Sequence, residues 1–227
     1  MRMIAAYHKE PALRYISHLD IQRTLHRALS RADLPVQYSA GFNPHPQMSF
    51  ATALSTGMSG DAEWFDVTLY ETVEPEEFTR RLNAVLPRGL FVSDAFCAPE
   101  GMGSLSALTR AASYDAVLTL DRPASKDAFE AALDTLLSGE IIADKRTKSG
   151  IKPVDIRPQI LQVFVTGVEG NTVALQVLGR LQADGGLRME LFLHALTDRL
   201  DAHGDAVIHR SAVYFAGDGP LPRLPQD

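Results

Sequence analysis

Two histidines and one tyrosine have side chains suited to proton transfer. His18 lies in the run Ser-His-Leu-Asp, while Tyr38 and His45 lie in a short segment rich in glycine and proline. Imidazole titrates near neutral pH, so a histidine pair can act as general acid and general base, for example in RNA cleavage. Nothing in the sequence supplies the geometry that cleavage requires. His18, Tyr38 and His45 are therefore the candidate catalytic residues, but the sequence favours a protein that is not an enzyme.

The same residues could also bind a metal ion. His18, His45 and Asp20 are of types that ligate transition metals. However, no compact ligand spacing such as His-Glu-x-x-His is present, and Asp20 is already expected to support the start of a helix. The sequence therefore predicts no metal site and no cofactor.

Three arginines at intervals of four residues suggest anion binding. Arg23, Arg27 and Arg31 would lie along one side of a helix, and Arg23 is about 200° around the axis from the apolar Leu25. Guanidinium groups in such a row can bind phosphates at successive positions. A solvated charged helix face has the same pattern, so both interpretations stay open.

A rigid segment follows the arginines, from Tyr38 to Pro46. Its two prolines restrict the residues before them to extended backbone, and Gly41 permits a turn. This composition is typical of a recognition loop or of a stiff connector. With the start of the preceding helix, the segment supplies the candidate binding residues Ser17, His18, Asp20, Tyr38, Ser39, Gly41, Phe42, Asn43 and His45.

A second basic cluster lies in the C-terminal half of the chain. It would suit a phosphate backbone or an acidic partner, or it could be a solvated hairpin tip. Asp155 and Arg157 are at strand spacing and could pair with each other. The basic residues are Lys145, Arg146, Lys148, Lys152 and Arg157.

Hydrophobic periodicity predicts the elements that position these groups. Ser17, followed three residues later by Asp20, resembles a capping box, and Ile21, Leu25 and Leu29 recur at helical spacing. The first lobe, residues 1–98, should contain strands at 3–7, 48–54, 63–70 and 90–93 and helices at 17–32 and 75–87.

The second lobe repeats this theme with one additional strand. Residues 99–112 should be a linker, residues 113–216 the second lobe, and residues 217–227 a loose tail. Strands are predicted at 114–120, 141–143, 160–165, 173–178 and 206–215, and helices at 125–137 and 189–200. The order βαββαβ predicts an α+β fold of two tandem ferredoxin-like lobes with antiparallel sheets.

Composition and charge limit the classes of protein. With 45% hydrophobic and 22% charged residues, the chain resembles an ordinary globular protein. It shows no signal peptide and no apolar run of membrane-spanning length, and its single cysteine, Cys97, excludes an intrachain disulfide or a four-cysteine metal centre. We therefore expect a cytoplasmic protein. Walker, Rossmann, Gly-x-Ser-x-Gly and kinase motifs are all missing.

The net charge of −6 is unevenly distributed. Residues 1–35 contain six basic and three acidic side chains, whereas residues 60–100 contain three basic and nine acidic ones. Such asymmetry can mark a directional binding surface, although the overall pI of about 5.6 is below that of a typical nucleic-acid-binding domain.

Several motifs together resemble a bacterial family of unknown function, the radical SAM-linked proteins. The two most specific are Ser17-His18-Leu19-Asp20 and Gly41-Phe42-Asn43-Pro44-His45-Pro46. The chain departs from the common pattern at Ser30 and Gln47, where basic residues are frequent. The resemblance also includes Tyr15, His26-Arg27-Ala28-Leu29, Leu34-Pro35, Ser49-Phe50-Ala51, Leu54, Gly57, Glu63, Asn83, Leu86-Pro87, Gly89, Asp155-Ile156-Arg157-Pro158 and Arg210.

The resemblance implies a partner, a radical SAM enzyme fused to such domains or encoded beside them, and a setting related to RNA or the ribosome. This chain lacks the cysteines of a cluster-bearing radical enzyme. We therefore expect a non-catalytic accessory domain that binds RNA or a ribonucleoprotein substrate for a separate radical SAM enzyme. Two alternatives remain: a metal-independent endoribonuclease of tandem ferredoxin-like type, and a purely protein-protein interaction module.

Overall fold

The computed structural model describes residues 1–147, 150–183, 185–217 and 219–224, with the backbone alone described at 145–147. The chain divides into two compact units. Unit 1 comprises Met1–Arg110 and the segment from His209 onward, and unit 2 comprises Ala111–Ile208. The helix with the arginine row and the proline-rich segment both belong to unit 1, so the fold of this unit positions most of the candidate residues.

The elements of unit 1 follow the predicted order. One difference is that the strand predicted at 63–70 begins earlier, at Met58, and ends at Thr68. A helical turn, α3, lies within the predicted linker, with Leu105 fully buried. The elements are β1 (Arg2–Lys9), α1 (His18–Arg31), β2 (Met48–Phe50), β3 (Met58–Thr68), α2 (Pro75–Asn83), β4 (Leu90–Cys97) and α3 (Leu105–Leu108).

The remaining elements make up unit 2, except for the end of the last strand, which returns to unit 1 from His209. They are β5 (Thr109–Leu120), α4 (Lys126–Leu137), β6 (Ile142–Thr147), β7 (Gly150–Asp155), β8 (Ile160–Glu169), β9 (Thr172–Gln182), β10 (Gly185–Gly186), α5 (Met189–Arg199) and β11 (Gly204–Phe215).

In unit 1 the strand order is β4–β1–β3–β11, with β2 beside β3. The pairs of β1 with β3 and β4, and of β2 with β3, are antiparallel. One face of the sheet forms the main core: Tyr7, Phe65 and Val67 pack with Leu25 of α1 and Phe78 of α2, all fully buried or nearly so. Leu69 is buried with Phe65 and Val67, and Trp64 and Asp66 on the opposite face are also buried.

A β-bulge interrupts the β1–β3 ladder. Tyr7 pairs with Glu63 and Lys9 pairs with Gly60, so two residues of β3 lie opposite His8. Bulges redirect side chains and are common beside functional sites. Gly60 is required here because a Cβ at this position would lie 2.7 Å from Oε1 of Glu63.

In unit 2, β9 lies between β5 and β8 and pairs antiparallel with both. β6 and β7 form a separate antiparallel ladder. The sequence predicted the start of β6 but not β7, because Gly150–Asp155 contains lysine, proline and aspartate rather than alternating apolar residues. The chain thus has a mixed α+β fold with mostly antiparallel pairing, and no helix of the described residues is long and apolar enough to cross a membrane.

Candidate nucleic-acid interface

The helix α1 orients the arginine row toward solvent. Ser17 is its N-cap, with Oγ accepting a hydrogen bond from the Asp20 backbone N–H at 3.2 Å. Because the buried stripe faces the core, Arg23, Arg27 and Arg31 are exposed. The row therefore lies on the solvent side of the helix, as its spacing predicted.

The three guanidinium groups have different partners. Arg23 donates to Oδ1 of Asp20 at 3.0 Å, and the Ser17 hydroxyl donates to Oδ2 of the same carboxylate at 2.7 Å. The bond from Ser17, and after it the bond from Arg23, holds the pKa of Asp20 below its ordinary value. Arg31 donates to the Val85 carbonyl at 3.1 Å. No hydrogen bond or ion pair of Arg27 is found among the described residues, so Arg27 is the most available cation of the row.

The proline-rich segment forms a hairpin. Tyr38 and Pro46 form an isolated antiparallel bridge, and the Ser39 backbone N–H donates to the His45 carbonyl at 2.9 Å. The Ser39 hydroxyl accepts the His45 backbone N–H at 3.1 Å and contacts Nδ1 of that ring at 2.9 Å. These contacts explain why the segment is stiff: its two arms are linked through both backbone and side chain.

The base of this hairpin is attached to β3, and its tip is open to solvent. The Gln37 N–H donates to the Thr68 carbonyl at 2.8 Å, and the Thr68 N–H donates to the Gln47 carbonyl at 2.9 Å. At the tip, Gly41 has a φ of +120°, and the ring of Phe42 is fully exposed, at 106%. Asn43 is likewise exposed.

The hairpin and α1 together border a groove of about 430 Å³. Oγ of Ser30 lies 3.2 Å from the hydroxyl of Tyr38, which links the two elements directly. Burial lowers the pKa of His26, and nearby His45 lowers it further. The groove is lined by His26, Arg27, Ser30, Arg31, Tyr38 and Pro46.

His18 lies in a different environment from His45. Its ring packs edge-on against Phe50, with the ring centroids 4.7 Å apart, and its Nδ1 atom is buried without a hydrogen-bond partner among the described residues. Burial lowers the pKa of His18; Glu63 opposes this shift, while Arg210 and Lys9 add to it. Of the two predicted histidines, therefore, His45 belongs to the hairpin and His18 belongs to the edge of a buried charged cluster.

That buried cluster was not predicted. Arg210 donates a bidentate pair of hydrogen bonds to Glu63, and the two side chains are only 3% and 2% exposed. Lys9 donates to the carbonyls of Arg14 and Ile16 at 3.1 and 2.9 Å, and its pKa is lowered by burial. Burial also raises the pKa of Tyr7, as does the Glu63 charge. Neither Lys9 nor Glu63 stands out in the sequence, because β1 also contains Arg2 and β3 also contains Asp61 and Asp66.

Polar side chains from β1, β3 and β11 contact one another near the bulge. Asp61 contacts Nε2 of His209 at 2.9 Å and Nδ1 of His8 at 3.4 Å. The other ring nitrogen of His209, Nδ1, lies 2.8 Å from Oγ of Ser59, and His8 stacks on Phe91 with centroids 4.4 Å apart. Among the described residues, no group of three histidine, cysteine or acidic side chains is placed to hold a metal ion.

The second basic cluster is only partly described. Lys145 lies opposite Lys152 in the β6–β7 ladder, and Lys152 is exposed. Nothing is described of the side chain of Arg146, and Lys148 lies outside the described residues.

Arg157 is engaged inside unit 2. Its guanidinium donates to the carbonyls of Leu137 and Ile160 at 2.6 and 3.0 Å. Asp155 does not form the expected side-chain pair with Arg157: its Oδ1 accepts the backbone N–H groups of Ile141 and Arg157, both at 2.9 Å. The structure thus gives Arg157 a role in holding the end of α4 to the start of β8.

A family model of uncharacterized proteins conserved in bacteria, DUF2344, matches residues 2–188. The chain belongs to this family. The sequence resemblance to a bacterial family of unknown function is thereby supported, and the DUF2344 description gives no reaction and no partner. The match includes α1, the hairpin and the second basic cluster, but it ends before β11 and therefore excludes His209 and Arg210.

Solved structures resemble the DUF2344 chain in fold. One is a chain in the structure of an H/ACA RNP bound to a substrate RNA containing 2′-deoxyuridine, with a TM-score of 0.53, 14% identity, and coverage of 92% of this chain and 46% of the other. Another is a chain of a Cbf5-Nop10-Gar1 complex, with a TM-score of 0.54, 14% identity, and coverage of 93% and 48%. This chain therefore spans about half the length of those it matches, and identity at this level shows a shared fold. No curated protein matches in sequence.

Proposed function

We propose that this protein is a non-catalytic RNA-binding domain whose contact surface is formed by the exposed side of α1 and the adjoining hairpin. The observation that carries the proposal is the groove between these elements, because arginines and an aromatic side chain line it together. Phosphate contacts by arginine combined with base contacts by aromatic rings are the usual means of binding single-stranded nucleic acid. Phe42, Asn43 and His45 would contact a base or the partner protein.

Charge and fold support this proposal. The first 35 residues have twice as many basic as acidic side chains, and Arg27 has no partner among the described residues. The similarity of fold to chains from H/ACA RNP structures, one of them bound to a substrate RNA, agrees with an RNA setting. Lys145, Arg146, Lys148 and Lys152 would add phosphate contacts from unit 2.

The test is the salt dependence of RNA binding. Fluorescence anisotropy with a labelled RNA should give an affinity that falls steeply with salt. Replacing Arg23, Arg27 and Arg31 together by alanine should weaken binding and reduce the slope of log K against log salt by about 2, since each phosphate contact to a single strand contributes about 0.7.

Arg80 supplies the matched control. It is an exposed helical arginine in unit 1, on α2, and pairs with Glu77 at 2.7 Å. Arg80→Ala should leave both the affinity and the slope unchanged. An affinity that is insensitive to salt, or equal losses for Arg80→Ala and the triple variant, would contradict the proposal.

The resemblance seen in the sequence adds a partner to the proposal, a separate radical SAM enzyme in the cytoplasm. Two tandem ferredoxin-like lobes would then supply one surface for RNA and another for the enzyme. Co-purification of the enzyme with the tagged protein tests this, with and without nuclease. Capture that persists after nuclease treatment would indicate direct protein contact, and capture lost with the RNA would indicate that RNA alone joins the two. Failure to capture the enzyme under either condition would refute the partnership.

A further inference from the structure

The groove between α1 and the hairpin is open to solvent, and its lining is mostly apolar. Its volume of about 430 Å³ lies within the range of ~300–1,000 Å³ typical of ligand pockets. The ring of Pro46 is buried, while Tyr38 is 43% exposed and can present one ring face. The stems of Arg27 and Arg31 complete the lining. A mostly apolar lining that includes two arginines suits an aromatic ring that carries negative charge beside it.

Polar atoms in the lining have unused capacity for hydrogen bonds. Nε2 of His26 is buried, and no hydrogen-bond partner is found for it among the described residues. Buried polar atoms of this kind are uncommon and call for an explanation. Burial and His45 both lower the pKa of His26, so its ring is neutral at pH 7 and has one donor and one acceptor nitrogen. Ser30 and Tyr38 share one hydrogen bond, and each hydroxyl can make another.

We propose that this groove holds one unpaired base of a bound RNA, with the flanking phosphates on Arg27 and Arg31. The base would lie on the ring of Tyr38, and its edge would meet Ser30 and, once the imidazole ring turns toward the groove, the buried Nε2 of His26. This inference rests on the proposed function and narrows it to single-stranded RNA, because a base inside a duplex is stacked and paired and cannot enter a side pocket.

The spacing of the arginines and the apolar lining favour RNA over an acidic protein segment. Arg27 and Arg31 are spaced one helical turn apart, about 6 Å along the axis, which suits the regular phosphates of an extended strand. A run of acidic side chains would satisfy the arginines, but it would leave the mostly apolar lining without a matching group.

The test fills the groove without touching the arginines. Ser30 is exposed and lines the groove, so Ser30→Trp places an indole where the base would lie. Affinity for a labelled unstructured RNA of about 12 nucleotides, within the usual site size, should fall by about 5- to 150-fold, as expected for the loss of one stacked base. Thr135→Trp on α4, also at an exposed helical position, is the control and should bind as wild type.

A second pair of variants separates stacking from hydrogen bonding. Tyr38→Phe keeps the ring and should retain nearly all affinity, whereas Tyr38→Ala should lose as much as Ser30→Trp. A duplex of the same sequence should bind the wild-type protein more weakly than the single strand does, and it should bind Ser30→Trp and wild type equally.

The outcomes distinguish this inference from the proposed function. Equal binding of single strand and duplex, with loss in the arginine triple variant and none in Ser30→Trp, would overturn the base site and leave the RNA-binding surface standing. Absence of any RNA binding would overturn both. Binding of an acidic peptide that Ser30→Trp abolishes, with RNA unaffected, would assign the groove to protein instead.

Discussion

Glu63 and Arg210 form an ion pair almost fully withdrawn from water. Such a pair contributes little net stability compared with apolar residues of similar size, but removing one partner leaves a buried charge uncompensated. Arg210→Met should therefore lower the free energy of unfolding by about 3–5 kcal/mol. The double variant Glu63→Leu, Arg210→Met should recover most of this loss. Urea denaturation of the three proteins measures both effects.

The exposed ion pair between Arg80 and Glu77 is the control for this prediction. Its side chains are 68% and 43% exposed, and exposed pairs contribute about 0–1 kcal/mol. Arg80→Met should therefore change stability by less than about 1 kcal/mol. If Arg210→Met is equally mild, the ion pair is not what holds β11 against β3.

His18 makes stability depend on pH. Its pKa is lowered from the ordinary 6.5, chiefly by burial, so the unfolded chain binds more protons between the folded pKa and 6.5. The free energy of unfolding should consequently fall as the pH drops below about 6.5. Above that pH, the contribution of neutral His18 to stability should be complete. Urea unfolding of His18→Gln at several pH values should give a shallower fall than wild type.

His26 acts in the same direction, because its pKa is lowered as well. The His18→Gln, His26→Gln double variant should therefore have the flattest profile in this range. The lowered pKa of Asp20 affects stability only below about pH 3.8, its ordinary pKa, so it does not affect the profile near pH 6. If the free energy of unfolding depends on pH equally in wild type and the double variant, neither imidazole has a different pKa in the folded and unfolded states.

At the scale of elements, the hairpin depends on the backbone at Gly41. Its φ of +120° is unfavourable for any residue with a Cβ, although no atom lies within 4 Å of the position that a Cβ would take. Gly41→Ala should therefore strain only the turn. It should raise the rate of backbone amide hydrogen exchange at Ser39 and His45 roughly tenfold. Global stability should change by less than about 0.5 kcal/mol.

The control for the hairpin is Gly139→Ala. Gly139 also has no atom within 4 Å of the position that a Cβ would take, and it is not among the glycines with positive φ. Exchange in the hairpin should not change in this variant. Unchanged exchange in Gly41→Ala would mean that the tip relaxes without cost and does not hold Phe42 in place.

Elements with local signals were predictable, and those defined by distant pairing were not. The helix α1 was expected at 17–32 and runs over His18–Arg31, because its cap and its apolar stripe are both local in sequence. Prolines and Gly41 predicted a stiff segment. The contact between Ser39 and His45 could not be predicted, because hydrogen bonds to β3 position the two arms of the hairpin. β7 has no periodic pattern and is formed by pairing with β6.

At the scale of the whole chain, separation in sequence limits what can be predicted of the site. Ser30 and Tyr38 are eight residues apart, so the short connection between α1 and the rigid segment keeps them close, although the sequence alone did not pair these two residues. Glu63 and Arg210 are 147 residues apart, and no pattern near either residue points to the other. The groove was therefore within reach of sequence reasoning, and the charged cluster beneath His18 was not.

The family match and the structure imply different boundaries for the shortest part of the chain that can fold by itself. The match ends at residue 188, but unit 1 also contains the segment from His209. A fragment of residues 1–188 would lack the strand beside β3, and it would lose both the Arg210 partner of Glu63 and the contact of Trp64 with Phe215, whose ring centroids are 6.0 Å apart.

We expect this fragment to lose the fixed packing of unit 1, because an exposed strand edge and a buried uncompensated carboxylate both oppose it. Near-UV circular dichroism should be lost, ANS should bind, and urea unfolding should not be cooperative, whereas the full chain should show the opposite. The full-length Arg210→Met protein is the necessary comparison, since it lacks the ion pair but keeps β11. If it folds and the fragment does not, the strand itself completes unit 1. A cooperative fragment with native near-UV dichroism would instead show that the family boundary is also the boundary of folding.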